Sequence, residues 1–307
     1  MAIACLGVIV ADVVGTPIDA LPERGTIGLI QRIELHIGGN AANTAASLGK
    51  LGVGAKLIGK LGDDNFGRFL TTALKSAGVD CTPLALATDG TPTPVSLVTV
   101  HSDAERSFLH APGTNAKFSP ADIDWEKLSD VTLFHVAGPQ LFPALEGAPL
   151  AGVLAEAKRR GMTTVLDTVM NPNGMNWEAQ ALCFPYLDWF VPSFEEIRML
   201  TGETSTEGQL AACRAAGATN VAIKLGAKGC FIAAENTEPF FIPALPVTVV
   251  DTLGAGDSWC AGFLTGLQRG WPLEKTARLA NATGAACVQA LGAVTGVPPL
   301  SELEASL

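Results

Sequence analysis

The chain has 307 residues, 48% hydrophobic, 6% aromatic and 16% charged, with a formal net charge of −10. That length can bury a large core, as one big α/β domain or two smaller ones, and the acidic balance, with no basic stripe to neutralise phosphates, excludes a nucleic-acid-binding role. Seven cysteines lie scattered without a CxxC pair, which reads as reduced core thiols in a cytoplasmic protein.

From the N-terminus, MAIACLGVIVAD has no basic region ahead of its apolar run, so it predicts a first strand over Ile3–Val10 and not a secretory signal. Helices are predicted over Asn40–Leu51 and Asn65–Ala77, with a strand at Ala55–Leu61 between them. Strands follow at Val131–Val136, Thr163–Asp167, Trp189–Val191, Val221–Leu225 and Cys230–Ala233. They are interleaved with helices at Ala144–Arg160, Phe194–Thr201 and Glu207–Ala216, and Ala255–Arg269 and Leu273–Gln289 close the series. Apolar strands alternating with helices imply an α/β fold with a mostly parallel sheet covered on both faces. Ligands in such sheets gather at the carboxyl ends of the strands. Two stretches, Gly15–Ile37 and Thr93–His110, break the alternation with polar residues interleaved among extended, turn-punctuated runs. They predict a small separate sheet inserted into one domain spanning residues 1–307. Leu279–Leu300 is uncharged and long enough to span a bilayer. Its Asn281, Gln289, glycines and late prolines instead read as a buried helix followed by a loop, and no membrane contact is expected.

The stretch VVDTLGAGDSWCAGFLTGL, Val249–Leu267, carries chemistry. Thr248–Val250 reads as a strand end. Gly254-Ala255-Gly256 offers backbone that a phosphate can approach, and the helix opening there points unpaired N–H groups and its positive dipole end into the same space. Asp257, in the first helical turn, can accept a hydroxyl proton and orient the attacking oxygen. A glycine turn opening an ordinary helix would look similar over the glycines alone. The run from Gly54 to Lys60 matches most of a phosphate-binding loop, but Leu61 replaces the metal-binding hydroxyl and the stretch reads as a strand. His36, His101, His110 and His135 are dispersed. Arg106, Phe108 and His110 can meet a substrate from the small sheet, exposed strand residues being the plainer account of each.

Asp251-Thr252-Leu253-Gly254-Ala255-Gly256-Asp257 resembles the C-terminal signature of the ribokinase-like (PfkB) carbohydrate kinases, and Gly38–Gly67, GGNAANTAASLGKLGVGAKLIGKLGDDNFG, resembles their N-terminal signature. The resemblance runs from about Ile3 to Pro298. It implies one ribokinase-like α/β domain with a doubly covered, mostly parallel sheet and a small β-sheet lid, at about residues 15–37 and 93–110. The implied activity is ATP-dependent phosphorylation of a hydroxymethyl group on a sugar or sugar-like substrate.

Carried over by residue, the resemblance makes Asp257 the catalytic base and Gly254, Ala255 and Gly256 the anion hole. Asp12, Gly39, Asn40 and Asn43 would hold the sugar, whose paired hydroxyls suit short carboxylate and amide side chains. An Asx turn at Asp12 and an N-cap at Asn40 are the structural alternatives. VPSFEE, Val191–Glu196, matches an N-x-x-E element with Ser193 in place of Asn, which leaves Glu196 to organise Mg2+ through water. Ser193 and Glu196 can also form a capping box. In VAIKLGAKG, Lys224, Gly226 and Gly229 would touch the nucleotide, while Lys228 reads equally as a solvated turn residue. Asn281 would line the adenine pocket, and Asp251 with the loop around Gly292 and Gly296 would bind a monovalent cation, K+. Trp259 stands where the family more often has Phe, and its indole N–H needs a partner. A nucleoside kinase of the same fold is the main rival, although Phe108 is the lid's one aromatic and tilts the reading toward a plain sugar. A phosphosugar acceptor would need basic groups, for which Arg24, Arg32 and Arg106 are available. A non-catalytic sensor would be signalled by loss of Asp257 or the glycines, and both are present. An apolar lid face would suit a homodimer.

Overall fold

The first apolar run, fully buried, forms β1 (Ala2–Gly7) in the computed structural model, which describes residues 2–103, 105–171, 174–305 and 307. The chain then crosses into a second sheet with β2 (Val10–Thr16) and β3 (Arg32–Gly38) before helix α1 (Asn40–Lys50) returns it to β4 (Ala55–Ile58). Next come β5 (Lys60–Leu61), α2 (Asn65–Ser76), β6 (Val79–Asp80) and β7 (Ala85–Leu86), then β8 (Val95–Val100) and β9 (Arg106–Ala111). The second half runs β10 (Val131–Ala137), α3 (Ala148–Arg159), β11 (Thr163–Asp167), α4 (Trp177–Ala181), β12 (Trp189–Phe190), α5 (Phe194–Thr201) and α6 (Thr206–Ala215). It ends with β13 (Val221–Lys224), β14 (Gly229–Ala233), β15 (Phe240–Pro243), α7 (Ala255–Gln268), α8 (Leu273–Cys287) and α9 (Leu300–Glu304).

The large sheet has nine strands in the order β15-β14-β13-β12-β11-β10-β1-β4-β6. It is parallel from β6 to β13; β14 runs antiparallel to β13, and the edge strand β15 antiparallel to β14. Alternate residues of β1 serve opposite cores, as pleating requires. Ile3 and Cys5 join Leu57, Val165, Trp259 and Phe263 on one face, whereas Ala4 and Leu6 join Phe134, Leu154 and Phe190 on the other. Helices on both faces therefore leave the carboxyl ends of the parallel strands as the open edge where loops converge.

The small sheet, in the order β3-β2-β8-β9, places His36, Asp12, Ser96 and His110 in one cross-strand row. Its strands differ in extent from the sequence expectation. The run Ile3–Val10 breaks after Gly7, and the small sheet begins at Val10, not Gly15. Residues 17–31 carry no strand, because Pro17 and Pro22 cannot donate to a ladder. Ala104, inside the second expected lid segment, lies outside the described residues. Ala55–Leu61 splits into β4 and β5, and β5 pairs with β7 apart from the large sheet. Thr248–Val250 is not a strand end. Val249 and Val250 are exposed, and the N–H groups of Val250 and Asp251 both donate to the Val288 carbonyl. The uncharged C-terminal run becomes α8 and a loop, and no helix among the described residues is long and apolar enough to cross a membrane.

Candidate active site

Helix α7 opens at Gly254, whose φ of 73° is left-handed and whose added Cβ would run into the Ala293 carbonyl. Only glycine fits there without strain. No side chain caps the helix, and the N–H groups of Gly256 and Asp257 have no protein acceptor among the described residues. An uncapped N-terminus of this kind offers paired donors and a positive dipole end to an anion.

Asp257, just inside that terminus, is 7% exposed. Asn40 Nδ2 donates to its Oδ1 at 3.0 Å, and Asn43 Nδ2 to its Oδ2 at 2.9 Å. Thr44 Oγ1 donates to the Asp257 carbonyl at 3.3 Å, and Ser47 and Ser258 hydroxyls meet at 3.0 Å. Residues 40, 43, 44 and 47 share one face of α1, so a polar stripe on that helix is matched to the first turn of α7. Asn40 and Asn43, expected at the sugar, each direct one amide N–H to Asp257. A buried carboxylate needs donors, and where α1 crosses α7 these two amides supply them. Burial pushes the Asp257 carboxyl above the ordinary carboxylate range, opposed by the Asn43 amide, Lys224 and the Asn40 amide. Gly39 sits at the N-cap of α1 with φ 90°, and its added Cβ would run into the Val8 carbonyl. Its role is thus to let α1 start hard against the crossover from β1 to β2.

Asp12 projects from β2 beside the start of α1 and is buried. Burial pushes its carboxyl up to about 6, opposed by the Ser96 hydroxyl, His36 and Arg106. Ser96 in turn shares a 3.1 Å hydrogen bond with His110 Nδ1. The row across the small sheet is therefore a continuous polar strip with an acceptor at its centre, suited to hydroxyl groups.

Behind the α7 terminus lies a group of residues that sequence reasoning did not assemble. Lys224 Nζ contacts both oxygens of Asp167, at 2.7 and 2.8 Å, and Cys260 Sγ donates to Asp167 Oδ2 at 3.1 Å. Lys224 was expected on the nucleotide. It is instead held in a buried ion pair at the ends of β13 and β11, with its ammonium 3.6 Å from where a Cβ of Gly256 would stand. Burial alone would push the ammonium down, but Asp167, Cys260 and Glu196 more than reverse it. Burial pushes Asp167 up, and Lys224 draws it back. A fixed positive charge thus lies directly beneath the uncapped α7 terminus. Fully buried His135 has no hydrogen-bond partner on either ring nitrogen among the described residues, and burial with Lys224 nearby pushes it down to about 3, so it stays neutral. Asp167 was legible in principle, since it is a carboxylate closing a parallel strand at the ligand-binding edge.

Glu196 Oε2 accepts from the Ser193 N–H at 2.7 Å and from Thr168 Oγ1 at 2.8 Å, and the Ser193 hydroxyl accepts from the Glu196 N–H at 3.3 Å. The capping box is therefore formed, and Ser193 is spent in it. The other carboxylate oxygen of Glu196 has no protein partner among the described residues, which fits an outer ligand of a hydrated divalent cation.

Four further expected site positions lie as follows. Gly229, at φ 116°, is required because its Cβ would run into the Ile242 carbonyl, so sheet packing of β14 on β15 accounts for it. Gly226 opens the intervening turn with free space about it. Asn281 lines a pocket, while its amide atoms are engaged by protein partners. Its Oδ1 accepts from Trp259 Nε1 at 2.8 Å, and its Nδ2 donates to the Ile242 and Pro243 carbonyls at 3.1 and 3.0 Å. The indole thus finds its partner, and a shallow pocket bounded by Ile242, Pro243, Leu245, Arg278 and Ala282 opens beside the amide. Asp251 does not present a bare carboxylate to a cation. Arg106 Nη2 lies 2.6 Å from its Oδ1, and the Gly292 N–H donates to its Oδ2 at 2.8 Å.

The pfkB family carbohydrate kinase pattern matches residues 2–300. The 2-dehydro-3-deoxygluconokinase of Bacillus subtilis (strain 168) is 28% identical over 297 residues, covering 93% of this chain and 90% of that protein. The aminoimidazole riboside kinase of Salmonella typhimurium is 32% identical over 283 residues, covering 85% of this chain and 84% of that one. The structure of Arabidopsis thaliana ribokinase complexed with ribose and ATP superposes with a TM-score of 0.88 at 26% identity, over 99% of this chain and 98% of that chain. With an uncapped glycine-opened helix, a buried carboxylate at its first turn and a small sheet beside it, this chain belongs to the pfkB family of carbohydrate kinases, phosphotransferases of ribokinase-like fold.

Proposed function

We propose that the chain is a single ATP-dependent kinase domain, with the small sheet as its lid, that phosphorylates a hydroxymethyl group of a sugar-like acceptor. The observation that carries this is Asp257, a desolvated carboxylate clamped by two amides beside two free N–H groups. Asp257 takes the proton from the acceptor hydroxyl as its oxygen bonds to the γ-phosphorus. The bond from that phosphorus to the β-bridging oxygen breaks, ADP leaves, and the Gly256 and Asp257 N–H groups hold the charge on the transferring group. The ammonium of Lys224 reinforces them from beneath. Asp12, with Ser96 and His110 in the same row, receives the acceptor's other hydroxyls. The pocket beside Asn281 takes the adenine ring. Glu196 would hold Mg2+ through water, and bound Mg2+ supplies neutralising charge to the nucleotide phosphates.

Arg32 is paired with Glu34 at 3.3 Å and Arg106 with Asp251, so neither is free for a phosphate on the acceptor. Arg24 is exposed and in no ion pair among the described residues, so it is the one of the three basic groups left for such a phosphate. The outward face of the small sheet exposes Ile33, Leu35, Leu97 and Leu109 together, a surface suited to a second copy of the chain. The seven cysteines are all free and buried, in keeping with a reducing cytoplasm. A coupled ADP-release screen over ribose, fructose, 2-keto-3-deoxygluconate, tagatose-6-phosphate and nucleosides tests the reading. Acceptor-stimulated ADP release with an unphosphorylated member is expected. Stimulation by the phosphosugar alone would overturn the acceptor assignment, and no stimulation by any polyol would overturn the kinase reading.

A further inference from the structure

The loop from residue 288 to 297 faces the signature and would form a monovalent-cation site if its oxygens were free. They are not. The Asp251 side chain is 2% exposed and fully engaged: Oδ1 accepts from the Leu253 N–H at 2.9 Å and faces Arg106 Nη2 at 2.6 Å, and Oδ2 accepts from Gly292. The Leu253 and Ala293 carbonyls both accept from Cys287 Sγ, at 3.4 and 3.1 Å. The Val288 carbonyl accepts the Val250 and Asp251 N–H groups, at 2.7 and 3.1 Å. The Val294 and Thr295 carbonyls accept from Lys50 Nζ, at 2.8 and 2.7 Å. Two side-chain cations, one from α1 and one from the small sheet, therefore tie down this loop. A free cation would have to sit beside a guanidinium on one buried carboxylate, where like charges repel strongly at the reduced dielectric of a protein site.

We propose that Arg106 is the built-in counter-cation of the signature loop, a positioning residue that takes the place of a monovalent cation on Asp251 and makes turnover independent of added K+. Arg106 comes from β9, where it pairs with Val100 at the end of the small sheet, and its charge also acts on Asp12. One guanidinium thereby links the acceptor-binding strip to the loop that packs against Gly254. In this arrangement closure of the small sheet and ordering of the phosphate-binding turn are one event, because the charge that orders the turn travels with the sheet.

The inference rests on reading Gly254–Gly256 as the phosphate site, and its test is chosen to work without an acceptor. Thermal melting of the full chain is measured in KCl, NaCl and tetramethylammonium chloride at equal ionic strength, for wild type, Arg106→Met and Arg106→Lys. Wild type and Arg106→Lys are expected to melt alike in all three salts. Arg106→Met, with Asp251 left uncompensated, is expected to melt lower in tetramethylammonium and to be raised by K+, as a ligand that binds only the folded state requires. Where an acceptor is in hand, turnover should follow the same pattern. Wild type should vary by less than about two-fold among the salts, and Arg106→Met should gain about five-fold or more on adding K+. Specific stabilisation or activation of wild type by K+ would overturn the proposal, as would an Arg106→Met protein indifferent to K+.

Discussion

Replacing Asp12 by Asn separates stability from function at one residue. Burial pushes the Asp12 carboxyl up to about 6, against roughly 4 in an unfolded chain. Between those values the folded protein holds a proton that the unfolded chain has lost, so the group's contribution to stability falls as pH rises from about 4 to about 6 and is fully unfavourable above that window. At about 1.4 kcal/mol per tenfold, the ionised carboxylate costs the fold on the order of 3 kcal/mol at neutral pH. Asn keeps the shape and removes the charge, so at about pH 7.5 the variant should be more stable by roughly 1–3 kcal/mol, the lower figure allowing for an amide with fewer acceptors. For a chain of this size that is a rise in Tm of roughly 2–6 °C. The gain should shrink to about a third at about pH 4.5 and vanish at about pH 3, where the wild-type residue is protonated in both the folded and the unfolded chain. Taking the difference between variant and wild type at each pH cancels every other titrating group. Acceptor kcat/KM should fall about 100-fold at neutral pH, because a charge-assisted acceptor of hydroxyl hydrogen bonds is lost. A stability difference that is the same at about pH 7.5 and about pH 3 would refute the reasoning.

Lys224→Met should abolish the charge under Gly256 and leave Asp167 unpaired in the interior. A loss of about 3–5 kcal/mol by denaturant unfolding is expected, largely recovered in the double variant with Asp167→Leu. Turnover should stay low in both, because neither has the ammonium. Trp259→Phe removes the donor to Asn281 Oδ1 and strands a buried acceptor, for a cost of about 1–3 kcal/mol by calorimetry. Asn43→Ala takes away one of the two amides that oppose the burial of Asp257. The acid limb of the pH–kcat profile should therefore move to higher pH.

The alternation of strands and helices was legible because β1, β10 and β11 are unbroken apolar runs and the helices between them are long. The mistakes came where tertiary context overrode local pattern. Val8 and Ile9 look like more of β1, yet the chain turns there because β2 belongs to another sheet. Val249 and Val250 look like strand, yet lie exposed beyond the last sheet edge with their N–H groups turned to Val288. At the site, residue types were legible and partnerships were not. Asp257, the glycines and Asp12 stand out from chemistry and motif alone. That Asn40 and Asn43 serve the carboxylate depends on how α1 crosses α7, and the Lys224–Asp167 and Arg106–Asp251 pairs join residues far apart in sequence. No local signal encodes such contacts.

The most direct test of the assignment of Asp257 is turnover of Asp257→Asn, measured with nucleotide binding on the same preparation. The near-isosteric amide keeps the α7 terminus and removes the base; its NH2 then faces Asn40 or Asn43, one of which flips its own amide to accept it. Turnover is expected to fall by about 10²–10⁴-fold, with ATP affinity within about three-fold of wild type. Turnover close to wild type would contradict the role of Asp257 as the base that accepts the acceptor's proton.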